Sequence, residues 1–273
     1  MQLRVRSLCK TYANSGTPAV KKGDRSIRAL HRCSLEITGG TCTAVLGRSG
    51  CGKTTLLKII AGLESPDSGT VEFTEACPAG SADIRAEPRL GFMFQDPRLL
   101  PWLTVEQNLL LAFPPPGSRE EKQNIYEELH RTLLLVGLAD RARAYPRHLS
   151  GGMAQRAALA RCLCRKPVVL LLDEPFSSLD SLTRIRLREE LDPLWRNLGL
   201  TLILVTHDIE EAVYLGSRVL LMENGAMGSE ISIPLSRPRD YRSGEFQEYC
   251  RRLETGLAEI TGRNHTVDIE GFG

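Results

Sequence analysis

Apolar residues in this chain fall in short blocks, and the spacing inside each block predicts an element. "CTAVLG" from 42, "LGFMFQ" from 90, "VVLLL" from 168 and "TLILVT" from 201 are unbroken apolar runs of strand length. Such runs suit strands covered on both faces. Helical spacing takes over in "TTLLKIIAG", stopped by Gly62, and again over 153–164, 182–198 and 209–215. Residues 3–8 and 35–37 read as short strands. The polar loop between them, 13–28, contains "ANSGTPAVKKGDRS". Segment 75–90 has no regular pattern.

From 97 to 150 the pattern is helical without strands. Thr104-x-x-Gln107 and Ser118-x-x-Glu121 fit capping boxes, and Ile125, Leu129, Leu133 and Val136 mark one helical face closed by Gly137. Strands alternating with helices predict an α/β core with a mostly parallel sheet. The tail from 229 shows one strand-like alternation and a helical stripe of Phe246, Cys250, Leu253 and Leu257, with looser chain expected past 262.

Composition narrows the class. The chain has 273 residues, 42% hydrophobic and 25% charged, and a net charge of only +2, so no basic field for nucleic acid is expected. No apolar run approaches the ~20 residues of a membrane helix. No signal peptide precedes the first strand-like segment, so the chain is expected to reach a membrane only through a partner. The eight cysteines form no CxxC pair and read as free thiols.

Chemistry concentrates at strand ends. Gly47-x-x-x-x-Gly52-Lys53-Thr54 follows a strand and opens a helix, the context of a phosphate-binding P-loop. Its glycines let backbone N–H groups close on phosphate, Lys53 reaches the outer phosphates, and the Thr54 hydroxyl suits Mg²⁺. Asp173 and Glu174 end the "VVLLL" strand, where a parallel sheet presents its ligand crevice. Asp173 can hold Mg²⁺ through water and Glu174 can polarise an attacking water, though Asp173 also serves as a cap before Pro175. His207 after "LILVT" and Gln95 after "FMF" are ambiguous by themselves: Asp208-x-x-Glu211 explains the first turn as a capping box, and an amide after a strand is common.

The order of six motifs resolves these alternatives. "GRSGCGKTT", Gln95 in "FMFQD", "LSGGMAQR", "VVLLLDEP", "SSLD" and "LVTHD" together resemble an ATP-binding cassette (ABC) ATPase over residues 3 to about 225. "FQDPRLLPWLTVEQNL" and "PLSRPRD" are similar to the nitrate/sulfonate/taurine/bicarbonate importer group. The resemblance implies a P-loop NTPase core within a cassette over 1–230. It also implies a small antiparallel β-subdomain and an α-helical subdomain inserted at about 96–165, and 231–273 would be a short tail without a regulatory domain.

The same resemblance assigns roles. Gly47, Arg48, Ser49, Gly50, Cys51, Gly52, Lys53, Thr54 and Thr55 become the Walker A loop, with Tyr12 stacked on adenine. Thr54, Gln95 and Asp173 become Mg²⁺ ligands. Glu174, Gln95 and His207 become catalytic, with His207 the γ-phosphate switch. Ser150, Gly151 and Gly152 would meet the nucleotide held by a second copy of the chain, beside Asp180 in the D-loop. Met153 replaces the commoner Gln.

Cofactors are then ATP and Mg²⁺. The expected partners are a second cassette, a transmembrane permease and, indirectly, a solute-binding protein, with the subunit peripheral on the cytoplasmic face of the inner membrane. "PRLLPW" at 97–102 is the expected permease contact, against the alternative that Leu100 and Trp102 pack inside the helical subdomain. The competing functional class is a soluble cassette acting on nucleic acid or ribosomes. Such proteins usually carry coiled coils, zinc inserts or two cassettes, none of which is visible here.

Overall fold

A computed structural model describes residues 2–13, 26–74 and 89–267, with side chains described to residue 260. Most of the 13–28 loop and of segment 75–90 therefore lies outside the described residues, as does Cys77. The chain divides into two compact units, one drawn from 1–86 and 204–273, the other from 87–203.

In the first unit, strand β1 (Gln2–Tyr12) lies antiparallel between β2 (Ile27–Thr38) and β4 (Ser68–Thr74). Register runs from Gln2 opposite Thr38 to Tyr12 opposite Ile27, so the strands are longer than the 3–8 and 35–37 segments expected. Leu3, Val5, Leu30, Leu35 and Ile37 are buried on the packed face. A second sheet holds β3 (Cys42–Leu46), wholly buried and parallel to β8 (Arg218–Glu223). β8 turns back antiparallel into β9 (Ala226–Ser232) through Asn224 and Gly225, both at positive φ. That is the geometry of a tight hairpin turn, which Asn-Gly favours. Helix α1 (Lys53–Ile60) follows β3, and α6 (Ile209–Leu215) and α7 (Gly244–Val267) complete the unit. α7 runs five residues past the expected loosening at 262.

The "PLSRPRD" tail secures the end of α6. Arg237 donates to the Tyr214 and Leu215 carbonyls, and buried Arg239 donates to those of Val213, Tyr214, Gly216 and Ile233. The carbonyls at the end of a helix have no intrahelical donors, so a guanidinium there satisfies them and complements the helix dipole. Tyr241 then stacks on Tyr214 with ring centroids 4.6 Å apart.

In the second unit, β5 (Leu90–Met93) pairs in parallel with β6 (Val169–Asp173). Only helices and 3-10 turns lie between them in the chain: α2 (Val105–Leu110), α3 (Arg119–Leu135) and α4 (Gly151–Leu163). α5 (Ser181–Asn197) follows β6, and β7 (Thr201–Thr206) straddles the division between the units.

The Thr104 capping box forms as read, with Gln107 N donating to Thr104 Oγ1 and Thr104 N to Gln107 Oε1. At Ser118 only half of the box forms. Glu121 N donates to the Ser118 hydroxyl, but the Glu121 carboxylate takes its hydrogen bond from Gly117 N, one residue earlier. Among the described residues no helix is long and apolar enough to cross a membrane.

Candidate nucleotide site

The first unit carries the phosphate loop. β3 delivers Gly47, whose N–H donates to Thr206 O, and the chain curls through exposed Arg48, Ser49 and Gly50 into α1. Lys53 is only 4% exposed. Its ammonium donates to the carbonyls of Gly47 and Arg48, each at 2.8 Å, and lies 3.9 Å from Cys51 Sγ. Thr54 is exposed on the first turn of α1, while Cys51 is buried.

Two glycines are required by this curl. A Cβ on Gly52, at φ +106°, would sit 2.1 Å from Ala29 O. On Gly47 it would sit 2.3 Å from Met222 O, in β8. α1 has no side-chain cap and no acid in its first turn, so its dipole and Lys53 both favour an anion. A backbone cradle that a Cβ would fill fits phosphate.

Tyr12 lies at the end of β1 with its hydroxyl 3.4 Å from Thr55 Oγ1, and Lys10 Nζ is 5.7 Å from its ring centre. Burial raises the Tyr12 phenol above its ordinary range, helped by Glu64. His207 is exposed at the end of β7. The turn after it is held by a network tighter than a capping box. Glu211 N donates to Asp208 Oδ1, while the buried Glu211 carboxylate accepts from Thr206 Oγ1, which itself accepts from Asp208 N. That leaves His207 as the exposed member of a fixed turn.

The second unit carries the acids and the serine-glycine helix start. Asp173, 5% exposed, ends β6. Glu174 follows in the left-handed region at φ +46°. Such backbone costs a non-glycine residue about 1–3 kcal/mol and persists where surrounding bonds impose it. Ser177 supplies two such bonds, its N–H and its hydroxyl both donating to Glu174 O, at 3.3 and 3.0 Å. The same hydroxyl accepts from Gln95 Nε2 at 3.1 Å, and Gln95 O accepts from Gln155 Nε2 at 3.0 Å.

Asp180 caps α5 through Thr183 N, and that backbone hydrogen bond holds its carboxyl below the usual range. Ser150 caps α4 by accepting from Met153 N, so α4 begins at Gly151 rather than at the expected 153. The cap uses only the backbone of Met153, which makes that side chain immaterial to it. Ser150 and Gly151 are exposed, whereas Gly152 is buried against α5, where a Cβ would come within 2.8 Å of Thr183 Cγ2.

The sequence does not single out Ser177 and Gln155, which the structure ties to Gln95. Gln155 stood inside "LSGGMAQR", yet nothing in its spacing separates a buried linking amide from a surface one. Trp102 is 68% exposed, and the segment beneath it is tied down by buried Asn108 and by Arg161, which donate to backbone carbonyls of 97–104. Packing of Trp102 inside the helical region is thereby excluded, although Leu99 and Leu100 are half-buried.

A lysine-filled glycine loop at a strand-to-helix turn, in an α/β core with a buried aspartate ending an apolar strand, defines a P-loop NTPase. Residues 30–177 match the family model described as ABC transporter, and the chain belongs to that family of transport ATPases. It is 45% identical to the aliphatic sulfonates import ATP-binding protein SsuB of Cupriavidus pinatubonensis over 89% of this chain and 75% of that one. It is 38% identical to SsuB 1 of Rhizobium johnstonii over 92% and 90%. Among solved structures it resembles the ATP-binding cassette MJ0796, in a dimeric post-hydrolysis state bound to ADP and Pi. The TM-score there is 0.67 at 30% identity, over 86% of this chain and 100% of that one.

Proposed function

We propose that this chain is the ATP-hydrolysing subunit of an importer for small sulfonates, working as a homodimer beneath a separate permease fed by a solute-binding protein. The observation that carries the reading is the cradle around Lys53, where buried ammonium, glycine backbone and uncapped helix start converge on one anion-sized place. The sulfonate assignment rests on the names of the relatives. The subunit would sit peripherally on the cytoplasmic face of the membrane.

Residue roles follow from chemistry. The loop from Gly47 to Thr55 holds the phosphates and Tyr12 stacks on the base. Thr54, Gln95 and Asp173 offer only oxygen donors for a metal, a set that fits the hard Mg²⁺ ion. Bound there, Mg²⁺ supplies charge neutralisation at the phosphates. Glu174 accepts a hydrogen bond from the water that attacks the γ-phosphorus, and His207 contacts the transferred phosphoryl group. Ser150, Gly151 and Gly152, beside Asp180, serve the nucleotide of the second copy. The exposed Trp102 with Leu99 and Leu100 is the permease contact, since apolar side chains presented together on a fixed loop mark a partner surface.

The test is co-expression with the permease and solute-binding protein of a sulfonate importer, followed by uptake of a labelled alkanesulfonate. ATP-dependent uptake is expected. Charged residues at 99, 100 and 102 should release the subunit from membranes while leaving its basal ATPase. Absence of both ATPase and membrane association in the wild type would overturn the reading.

A further inference from the structure

We infer that Ser177 is a positioning residue, the hub through which Gln95 and helix α4 set the backbone of Glu174. The inference rests on the proposed role of Glu174, but its geometry stands within the second unit alone. One hydroxyl does two things: it accepts from Gln95 Nε2 at 3.1 Å and donates to Glu174 O at 3.0 Å. A hydroxyl is suited to this because it is donor and acceptor at once. Glu174 is the residue that needs holding, because its φ of +46° is one that a glutamate leaves when nothing imposes it.

The chain of hydrogen bonds continues beyond Gln95. Its carbonyl accepts from Gln155 Nε2, and Gln155, 2% exposed, projects from α4, the helix that begins at Ser150 and Gly151. The orientation of the Gln155 amide is fixed, because turning it over would set its oxygen against the Gln95 carbonyl. Movement of α4 therefore reaches the Glu174 turn through Gln155, the Gln95 backbone, the Gln95 side chain and Ser177. Since Ser150 and Gly151 lie on the exposed start of that helix, a ligand meeting them can alter the aim of a glutamate it does not touch.

The experiment uses the full chain with five single variants and two readouts. The first readout is steady-state ATPase. Ser177→Ala should lower kcat about 10–100-fold with KM for ATP within about twofold, as expected when an attacking group is displaced and substrate binding is untouched. Ser177→Thr keeps the hydroxyl and should stay within about threefold of wild type. Gln95→Ala also removes a proposed Mg²⁺ ligand, so its effect on the hub is read by exchange and not by turnover.

The second readout is amide exchange at Ser177 N–H, which needs no activity. Gln95→Ala, at an exposed position, and Gln155→Met should each speed it about 3–10-fold, the scale of removing one hydrogen bond. Gln123→Ala, which removes a hydrogen bond to Glu127 on α3, should leave it unchanged. Full kcat in Ser177→Ala or unchanged exchange in Gln95→Ala would each overturn the hub. Unchanged exchange in Gln155→Met alone would overturn its extension to α4. A wild-type chain without ATPase would instead refute the proposed function and leave the exchange result to decide the hub.

Discussion

Helix α1 starts at a loop curled round its own lysine, whereas α4 starts at a capping serine and an exposed glycine with no lysine beside them. Both starts carry glycines, for different reasons. At Gly47 and Gly52 a side chain would strike backbone oxygens, which cannot give way. At Gly151 and Gly152 it would meet only side chains, those of Leu179, Thr183 and Leu187. The first arrangement is shaped to enclose a ligand within one chain. The second is packed tightly behind and open in front, the form expected of a surface completed by another molecule.

The largest separation between the two comes from removing their charged and reactive groups. Lys53→Ala should abolish equilibrium ATP binding, whereas Ser150→Arg should leave binding by the isolated subunit near wild type while stopping turnover. Glu174→Gln should bind MgATP and turn over about 10²–10⁴-fold more slowly, since phosphate contacts remain and only the water loses its partner. Filter binding and phosphate release measure the two quantities. Near-normal turnover in Glu174→Gln would remove it from the chemistry.

Glycine substitutions probe the same contrast at smaller scale. Gly52→Ala combines a disfavoured φ with a 2.1 Å approach to Ala29 O, so ATP affinity should drop at least about tenfold. Gly151→Ala meets only the flexible end of Leu179 at 3.1 Å and should keep affinity within about threefold. Equal losses in both would mean that the two starts are not built differently.

How far this contrast could be read from sequence depends on how local each feature is. The loop motif, β7 over 201–206 and α6 over 209–215 depend on neighbouring residues and were legible there. Strand β8 was not anticipated, although its apolar run from Val219 to Met222 is of the kind that marks β3, β6 and β7. Its signal was the Asn224-Gly225 turn that follows it, yet Met222 of this strand is what forbids a side chain at Gly47. The strained Glu174 and the Ser177 contact to Gln95 join residues 82 apart in sequence, which no periodicity records.

Mixing two damaged subunits tests whether α4 serves the other chain. Lys53→Ala and Ser150→Arg homodimers should each fail to occlude nucleotide, because every shared site contains one lesion. Random exchange makes about half the dimers mixed, since a closed two-fold pair presents equivalent surfaces. Each mixed dimer then places both lesions in one site and leaves the other intact, so occlusion should return at that site. If α4 served its own chain, every protomer would still hold a lesion and no occlusion would return in verified heterodimers.

The smallest expected effect concerns a cysteine in each region. Cys51 lies in the loop and Cys162 in α4, and burial pushes the Cys162 thiol up to about 12, while Cys51 is raised with Lys53 opposing. A free thiol titrates near about 8.5, so at pH 8 the Cys162 thiolate is scarcer by about a thousandfold. Cys9 differs from both: it is half-exposed, and a hydrogen bond from Arg32 N lowers its pKa. Iodoacetamide on the native chain should therefore label Cys9 first and Cys162 last, with ATP slowing any labelling of Cys51. The same shift predicts alkaline behaviour. Below about pH 8.5 the Cys162 thiol is protonated in both folded and unfolded chains, and its contribution to stability is complete. As pH rises toward about 12 the unfolded chain releases the proton first, so stability declines across that window. Denaturant midpoints at pH 7 and pH 10 should differ in that direction, with a smaller difference in Cys162→Ala. A Cys162 labelled as fast as Cys9 in native buffer would show that α4 is not packed as tightly behind its open face as the contrast requires.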